Sequence, residues 1–255
     1  MRIVLKIGGN EIDDEGFLSR IASLVSGLQK DNHQVVLVHG GGKEITALLE
    51  KLGIETKFVE GLRYTDEESL KATEMVLSGA INKRLVRKLQ SSGVSALGVS
   101  GVDGNILVAE KLARKDYDAG LVGEVAAVNV KVVEELMRSF VVVLSPISAE
   151  KGSAQSLNVN ADYAAAAVAS FLASELIIFL SNVPGVISAG SVMEKIQQRE
   201  FEDLKKNGVI TGGMVPKLEA AFRALKGGAR LAYITNADGA ERIAAGQNAG
   251  TQVTI

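Results

Sequence analysis

The sequence predicts an α/β fold in which a mainly parallel sheet is covered by helices on both faces. Short uninterrupted apolar runs recur along the 255 residues, as is typical of strands that are buried on both sides. Segments with helical spacing lie between the runs, so strand and helix alternate almost throughout the chain. Glycines and small polar residues gather after the runs, and ligands of such sheets bind beyond the carboxyl ends of the strands.

The predicted elements follow in chain order. Six apolar runs are assigned as strands, at residues 3–5, 35–38, 96–99, 141–144, 176–180 and 231–234. Five segments carry an apolar helical stripe, at residues 17–30, 42–52, 66–91, 130–138 and 214–227. Short alternating pieces predict a hairpin flap over residues 105–128, and a division near residue 150 separates two lobes.

One window has the length and apolarity that call for comparison with a membrane-spanning helix. Residues 163–180, YAAAAVASFLASELIIFL, contain a single charge, and their length is borderline for a bilayer. The window changes midway from alanine-rich to β-branched residues, which favours a buried helix followed by a central strand. The apolar stretch at the N-terminus is too short for a signal peptide. We therefore expect a soluble, cytoplasmic protein with no membrane partner.

Composition excludes several kinds of partner and chemistry. The chain has 28 basic and 30 acidic residues and a net charge of −2, which indicates no basic surface for nucleic acid. It has no cysteine, so thiolate nucleophiles, disulfides and cysteine-zinc sites are excluded. Of the two histidines, His33 and His39, the second follows a predicted strand and is interpreted as a structural hydrogen-bonding residue in a turn.

Three consecutive glycines in the segment HGGGK, residues 39–43, indicate that something lies very close to the main chain. An esterase-type oxyanion hole would need a G-x-S-x-G elbow and a later histidine, and the sequence has neither. A P-loop would need Ser or Thr where Glu44 stands, and the Rossmann pattern G-x-G-x-x-G is also absent. Binding of phosphate by backbone N–H groups, aided by lysines from elsewhere in the chain, remains.

Three charged residues elsewhere in the chain suit this interpretation. Lys6 ends the first strand, Lys217 lies in the first turn of a helix, and Asp162 begins the alanine-rich helix. Each of them alone is often structural, so the hypothesis depends on their joint occurrence. Two lysines could neutralise a phosphoryl group in transfer while glycine N–H groups donate hydrogen bonds to its oxygens. The sequence therefore predicts phosphoryl transfer.

Nine segments, in unbroken order over essentially the whole chain, resemble the amino acid kinase superfamily and, within it, the N-acetylglutamate kinase family. These segments are LKIGGN (5–10), LVHGGGKEI (37–45), FVEGLRYTDEE (58–68), INKRLV (81–86), GVSGVDGN (98–105), GLVGEV (120–125), SLNVNADYAA (156–165), LSNVPGV (180–186) and GVITGGMVPKLEAA (208–221). The resemblance implies ATP-dependent phosphorylation of the γ-carboxylate of N-acetyl-L-glutamate to N-acetyl-L-glutamyl 5-phosphate, in arginine biosynthesis. It also implies a three-layer αβα sandwich around a mainly parallel eight-stranded sheet.

The same resemblance implies how the chain divides its tasks. The N-terminal lobe, residues 1–150, would bind the amino acid and mediate homodimerisation. The C-terminal lobe, residues 151–255, would bind ATP. Magnesium would be carried on the ATP phosphates, without a direct protein ligand.

Residue roles follow from the motif matches. Lys6 and Lys217 would stabilise the transferring phosphoryl group, with Asp162 holding both lysines in position. The amino acid would contact Gly41 and Gly42 at its reacting carboxylate, Arg63 at its α-carboxylate, Asn158 and Asn160. Gly8 and Gly9 would face the phosphates, and the adenosine site would comprise Leu180, Ser181, Asn182, Val183, Gly185, Val209, Ile210 and Thr211. The glycines would let the ligands approach so closely that a Cβ would clash with them.

Two departures from the family pattern leave alternatives open. Some members carry an N-terminal helix that joins dimers into hexamers and confers inhibition by arginine. This chain starts at its first strand, so we hypothesise an arginine-insensitive homodimer. Tyr64 stands where valine is common, and RYT and SGVDG resemble kinases that phosphorylate aminoadipate or glutamate on a carrier protein in lysine biosynthesis.

The compact segment FVEGLR, the segment GLVGEV and the lack of net positive charge favour free N-acetylglutamate over a carrier-linked substrate. A non-catalytic amino-acid or nucleotide sensor is the alternative from a different class of protein. Such a sensor would have lost Lys6, Lys217 or Asp162, and all three are present.

Overall fold

An eight-stranded sheet forms the middle layer of the computed structural model, which describes residues 1–9, 11–59, 61–113 and 117–255. The strands of this sheet and of the smaller sheets, in chain order, are β1 (Arg2–Ile7), β2 (Gln34–His39), β3 (Phe58–Val59), β4 (Leu62–Arg63), β5 (Ala96–Ser100), β6 (Leu107–Lys111), β7 (Val122–Val128), β8 (Val141–Ser145), β9 (Ile147–Glu150), β10 (Ser156–Val159), β11 (Leu176–Leu180), β12 (Ile187–Ser188), β13 (Ser191–Val192), β14 (Lys195–Gln197), β15 (Leu231–Thr235) and β16 (Thr251–Thr254). The sheet has the order β14-β16-β15-β11-β1-β2-β8-β5, and all six predicted apolar runs lie in it.

Helices cover both faces of this sheet. They are α1 (Glu15–Lys30), α2 (Gly42–Lys51), α3 (Glu67–Glu74), α4 (Asn82–Ser91), α5 (Val130–Met137), α6 (Ala161–Phe171), α7 (Phe201–Lys206), α8 (Met214–Lys226) and α9 (Ala237–Ala244). The stripe predicted over residues 66–91 is a continuous rod in which a π-helical segment, Met75–Ile81, joins α3 to α4. Among the helices that the structure describes, none is long and apolar enough to cross a bilayer.

The pairing within the sheet is mainly parallel, as predicted. Strands β5, β8, β2, β1, β11 and β15 run parallel to one another, and β16 is antiparallel to β15 but parallel to β14. Four of the eight strands come from before residue 150 and four from after it, so the sheet runs through the predicted division between lobes. The three-layer α/β fold predicted from the sequence is confirmed.

Strand alternation decides which helices each central side chain meets. Successive side chains of β1 point to opposite faces of the sheet. Ile3 and Leu5 belong to the apolar cluster that includes α1, whereas Val4 belongs to the cluster that includes α6 and α8. Lys6 has the parity of Val4, so its side chain leaves the sheet on the face that α6 covers.

A small closed barrel of four strands, in the order β10-β7-β6-β9, is built mainly from the segment between β5 and α6. The hairpin predicted over residues 105–128 corresponds to β6 and β7, which pair antiparallel. Residues 114–116 of that segment lie outside the described residues. The hairpin is not a free flap, because β7 pairs with β10 and β6 pairs with β9.

Candidate active site

The first part of the site is a buried ion pair between the sheet and helix α6. Asp162 lies in the first turn of α6, where its N–H donates to Asn160 Oδ1 over 2.8 Å. Because Lys6 leaves β1 on the face that α6 covers, its Nζ reaches Asp162 Oδ1 at 2.8 Å. The two side chains are only 5% and 8% exposed, so this pair is shielded from water.

A second ammonium group converges on the same carboxylate oxygen. Helix α8 packs against α6, and Lys217 in its first turn places Nζ 3.7 Å from Asp162 Oδ1. Burial lowers the pKa of Lys217, the charge of Lys6 lowers it further, and Asp162 opposes both effects. Two cations therefore share one anion in a buried place, and the more distant Glu11 is the other carboxylate among the described residues whose charge acts on Lys217. Such a centre attracts an anionic ligand.

Two cavities meet at this centre, and we name them the acceptor-side cavity and the nucleotide-side cavity. The acceptor-side cavity has a volume of about 220 Å³ and is lined by the predicted residues Lys6, Gly9, Gly41, Gly42, Arg63, Asn158, Asn160 and Asp162. The nucleotide-side cavity has a volume of about 570 Å³ and is lined by the predicted residues Lys6, Gly8, Gly9, Gly42, Ser181, Asn182, Val183, Gly185, Val209, Thr211 and Lys217. Of the residues that the structure describes, Lys6, Gly9 and Gly42 alone line both cavities.

Two predicted residues do not line either cavity. Leu180, at the end of β11, and Ile210 have side chains that are buried in the two apolar clusters. Their side chains support the loops whose neighbouring residues, such as Ser181 and Val209, do line the nucleotide-side cavity.

Two of the helices that begin at the cavities, α2 and α8, have no side-chain cap. Gly41 precedes α2 and Gly213 precedes α8, and neither glycine can offer a side-chain acceptor to the first N–H groups of its helix. Gly42 borders both cavities, and Gly213 and Met214 border the nucleotide-side cavity. At α2 the first-turn N–H groups and the positive end of the helix dipole are thus available to oxyanions. At α8 the N–H groups of Met214 and Val215 donate to Thr211 O and Gly212 O and Pro216 has none, so this helix offers mainly the positive end of its dipole.

The glycines also let two turns of the protein touch each other. A Cβ on Gly9 would lie 2.9 Å from the backbone nitrogens of Gly41 and Gly42. A Cβ on Gly41 would collide with Ile81 Cδ1 and lie 2.8 Å from Leu77 Cδ2. Among Gly8, Gly9, Gly41 and Gly42, a Cβ would meet no atom within 4 Å only at Gly42. The expectation that all these glycines serve ligand approach is therefore incomplete, since Gly9 and Gly41 are also required by packing within the protein.

Arg63 is fixed at the wall of the acceptor-side cavity. Its Nη2 donates to Gly42 O at 3.0 Å and to Thr46 Oγ1 at 2.8 Å, and its guanidinium lies 4.8 Å from the centre of the Phe58 ring. Burial lowers the pKa of Arg63, and no carboxylate among the described residues forms an ion pair with it. Because a guanidinium stays protonated, this side chain presents a fixed positive charge to an anionic ligand.

The two asparagines have structural partners as well. Asn158 Nδ2 donates to Thr65 Oγ1 at 3.1 Å, and since no donor in the described part of the chain bonds to its carbonyl oxygen, that oxygen can accept from a ligand. Asn160 caps α6 through its side-chain oxygen, so its first task is to hold the helix that carries Asp162. Both asparagines line the acceptor-side cavity.

His39 has the structural role that the sequence favoured. It is fully buried, and burial lowers its pKa to about 4, so it is neutral near pH 7. Its Nδ1 lies 3.1 Å from Gly40 O and its Nε2 lies 3.3 Å from Asn82 Nδ2, which fits an imidazole that donates at Nδ1 and accepts at Nε2. The ring lines neither cavity.

Sequence reasoning missed several residues that line the cavities. The missed residues are Gly40, Ile45, Phe58, Gly61, Leu62, Leu77, Val122, Pro146, Val159 and Ala161 on the acceptor side, and Glu11, Lys43, Val186, Ile187, Gly213 and Met214 on the nucleotide side. The apolar ones carry no distinguishing signal in the sequence, whereas Lys43 stands within the glycine segment. Within the described ranges, no group of three or more His, Asp or Glu side chains is arranged to hold a metal ion.

The fold and the site together define a phosphoryl-transfer protein, in which two lysines and uncapped helix ends surround the junction of two cavities. Residues 1–236 match the amino acid kinase family, and the chain belongs to that family. It is 42% identical over 246 residues to the acetylglutamate kinase of Methanopyrus kandleri, a match that covers 92% of this chain and 95% of the relative. It is 44% identical over 238 residues to the acetylglutamate kinase of Roseiflexus castenholzii, covering 93% and 90% of the two chains.

Solved structures agree with this placement. The crystal structure of smu.665 from Streptococcus mutans superposes with a TM-score of 0.85 at 33% identity and covers 99% of this chain and 98% of that one. Carbamate kinase from Giardia superposes with a TM-score of 0.72 at 18% identity, covering 99% and 98% of the two chains, and this likeness concerns the fold.

Proposed function

We propose that this chain is an acetylglutamate kinase, which uses ATP to phosphorylate the γ-carboxylate of N-acetyl-L-glutamate in arginine biosynthesis. The observation that carries the proposal is the convergence of Lys6 and Lys217 on Asp162 at the junction of two cavities. The acetylglutamate kinases that match more than 90% of the chain support the same activity and substrate.

The chemistry suits a site without a general base. A γ-carboxylate has an ordinary pKa near 4.3, so it is already ionised at neutral pH and carries no proton to remove. In the transfer, a carboxylate oxygen forms a bond to the γ-phosphorus while the bond from that phosphorus to the β–γ bridging oxygen breaks. ADP leaves with the bonding pair. The obstacle is repulsion between two anions, which positive charge and N–H donors reduce.

The two lysines differ in which cavity they face. Lys6 lines both cavities, so it lies where the phosphoryl group crosses from one to the other. Lys217 lines the nucleotide-side cavity but not the acceptor-side cavity, which suits stabilisation of charge on the leaving ADP. Asp162 contacts both ammonium groups through one oxygen and limits their mutual repulsion. It is a positioning residue in this proposal.

The donor set also fits the substrates at either end. Two uncapped helix ends and two lysines suit the phosphates of ATP, and magnesium bound to those phosphates would supply further neutralisation. Arg63 would take the α-carboxylate of the amino acid in the N-terminal lobe, and the loops after β11 and before α8 would take the adenosine in the C-terminal lobe. Homodimerisation, insensitivity to arginine and a cytoplasmic location stay predictions.

A hydroxamate assay tests the proposed activity. Hydroxylamine traps acyl phosphates, so enzyme, magnesium and ATP should yield hydroxamate with N-acetyl-L-glutamate. Little should form with free glutamate or with N-acetylaminoadipate, and reactions without ATP serve as blanks. A higher kcat/KM for N-acetylaminoadipate would favour the kinases that act on carrier-linked substrates. No hydroxamate with any acceptor would point to a sensor.

The lowered pKa of Lys217 predicts how the rate depends on pH. The transfer needs the protonated ammonium, and a folded-state pKa below the ordinary 10.5 means that this form is lost at lower pH than for a free lysine. We therefore expect kcat/KM for MgATP to fall along an alkaline limb that begins below pH 10.5, in a coupled assay of ADP release. Lys217→Arg should move that limb upward, since arginine stays charged. An unchanged limb in Lys217→Arg would contradict the assignment.

A further inference from the structure

Lys43 borders the nucleotide-side cavity but does not belong to the buried ion pairs of Lys6 and Lys217 with Asp162. It is the second residue of α2, directly after Gly42, and it lines the cavity together with Lys6 and Lys217. Unlike those two lysines, its side chain is 66% exposed, so it can change position without disturbing the core.

Lys43 stands where a cation is electrostatically unfavourable. The first turn of a helix carries the positive end of the helix dipole, where acidic side chains and anionic ligands are favoured. The start of α2 has no side-chain cap, and the one acidic side chain of its first turn, Glu44, is paired with Arg84. A lysine in this place becomes favourable when an anion binds to the N–H groups beside it, because it then meets negative charge.

The present partner of Lys43 is replaceable. Lys43 Nζ lies 3.1 Å from Asp13 Oδ2, and both side chains are accessible to water. Asp13 has a second cation nearby, since Arg84 Nη2 lies 3.7 Å from Asp13 Oδ1 and also pairs with Glu44 at 2.5 Å. Lys43 can therefore leave Asp13 without stranding a buried or unpaired carboxylate.

We propose that Lys43 is a third phosphate-binding lysine, which exchanges Asp13 for the terminal phosphates of the nucleotide when ATP enters the cavity. The proposal rests on the proposed function in that its ligand is a nucleoside triphosphate. Lys6 and Lys217 are buried and fixed around the transferring group, whereas Lys43 is exposed and is held by one surface ion pair. Its contribution is therefore to nucleotide affinity and to the choice of nucleotides with several phosphates.

Calorimetric titration of the whole protein with MgATP and with AMP, in the absence of acceptor, tests this role. Lys43→Met should weaken ATP binding about fivefold to tenfold, which is the scale of one charge-assisted contact at a partly exposed site. AMP, which lacks the terminal phosphates, should bind Lys43→Met within about twofold of the wild type. Lys43→Arg should retain the affinity for ATP, and the difference between Lys43→Met and wild type should shrink as salt is added.

Lys151→Met is the matched control. Lys151 is equally exposed, at 66%, and also forms a long-range surface ion pair, with Glu110 at 2.7 Å, but it lines neither cavity of the site. This variant should bind ATP as the wild type does. The proposal is overturned if Lys43→Met binds ATP like the wild type, or if it loses affinity for AMP and ATP equally. Wild-type protein that binds ATP no better than AMP would overturn the kinase function as well.

Discussion

Replacing Lys217 with methionine should lower kcat by a hundredfold or more while the protein stays folded. The substitution keeps most of the length of the side chain and removes one of the two ammonium groups that face Asp162. Loss of a single donor to developing charge typically lowers kcat by about 10²–10³-fold. The expected loss appears in kcat, because the interaction between the Lys217 ammonium and the reacting phosphates is strongest in the transition state of the transfer. ADP release at saturating ATP and acceptor measures it.

The stability of the Lys217→Met protein should increase or stay unchanged, although its kcat falls. The pKa of Lys217 is lowered by burial and by Lys6, which means that folding disfavours its charged form. Below that lowered pKa the charge opposes folding, so removing it should leave the melting temperature unchanged or raise it. The site thus contains a charge that lowers the free energy of unfolding, as is expected of a residue that serves activity rather than stability.

Lys226→Met serves as the control on the same helix. Lys226 lies in the last turn of α8 and is exposed, away from both cavities. This variant should keep kcat within about twofold, because surface substitutions outside a site rarely matter. A Lys217→Met enzyme with near-normal kcat would refute the assigned role of Lys217.

Much of the fold is predictable because buried parallel strands leave a strong pattern. The central runs, such as residues 35–38 and 176–180, are apolar at every position, since both faces of the sheet are covered. Strands β14 and β16 were not predicted, although they complete the sheet. They are three and four residues long, and only alternate side chains are buried, so no continuous apolar run marks them.

Only the hairpin of the barrel was predicted, because the barrel closes through pairing between strands that are distant in the sequence. Strand β10 pairs with β7 and β9, which precede it in the chain, and the short strand sequences do not specify these partners. The π-helical segment Met75–Ile81 was likewise missed, since the apolar spacing of residues 66–91 fits an ordinary helix. Leu77 and Ile81 of this segment pack against Gly41, so the irregular turn shapes the wall of the site.

The charged part of the site was predicted because strand and helix ends locate it. Lys6 follows from the end of β1, Asp162 from the start of α6 and Lys217 from the start of α8. The apolar lining was not predictable in the same way. Ile45, Leu77 and Pro146 come from different elements and read as ordinary core residues in the sequence.

The junction of the two cavities depends on contact between two glycine turns, one after β1 and one after β2. Gly9 of the first turn lies against Gly41 and Gly42 of the second, and a Cβ on Gly9 would lie 2.9 Å from both of their nitrogens. Backbone atoms cannot rotate away as the end of a side chain can. Any residue larger than glycine at position 9 would therefore push the two turns apart.

Gly9→Ala should for this reason damage activity and stability together. Displacement of the turns would move the N–H group of Gly42 relative to Lys6, and errors of about 1 Å in such positions can cost about 10²-fold in rate. Overpacking of this kind typically destabilises a protein by about 1–3 kcal/mol. We expect kcat/KM to fall by about a hundredfold and the urea midpoint to decrease, as measured by ADP release and by equilibrium unfolding.

Gly27→Ala is the matched control for Gly9→Ala. Gly27 lies within α1, and a Cβ there would meet no atom within 4 Å. Alanine in a helix interior is favoured over glycine by roughly 0.5–1 kcal/mol, so this variant should be more stable and fully active. The same change, from glycine to alanine, is thus expected to act in opposite directions at the two positions. A Gly9→Ala protein with the urea midpoint and kcat/KM of the wild type would show that contact between the turns does not set the geometry of the site.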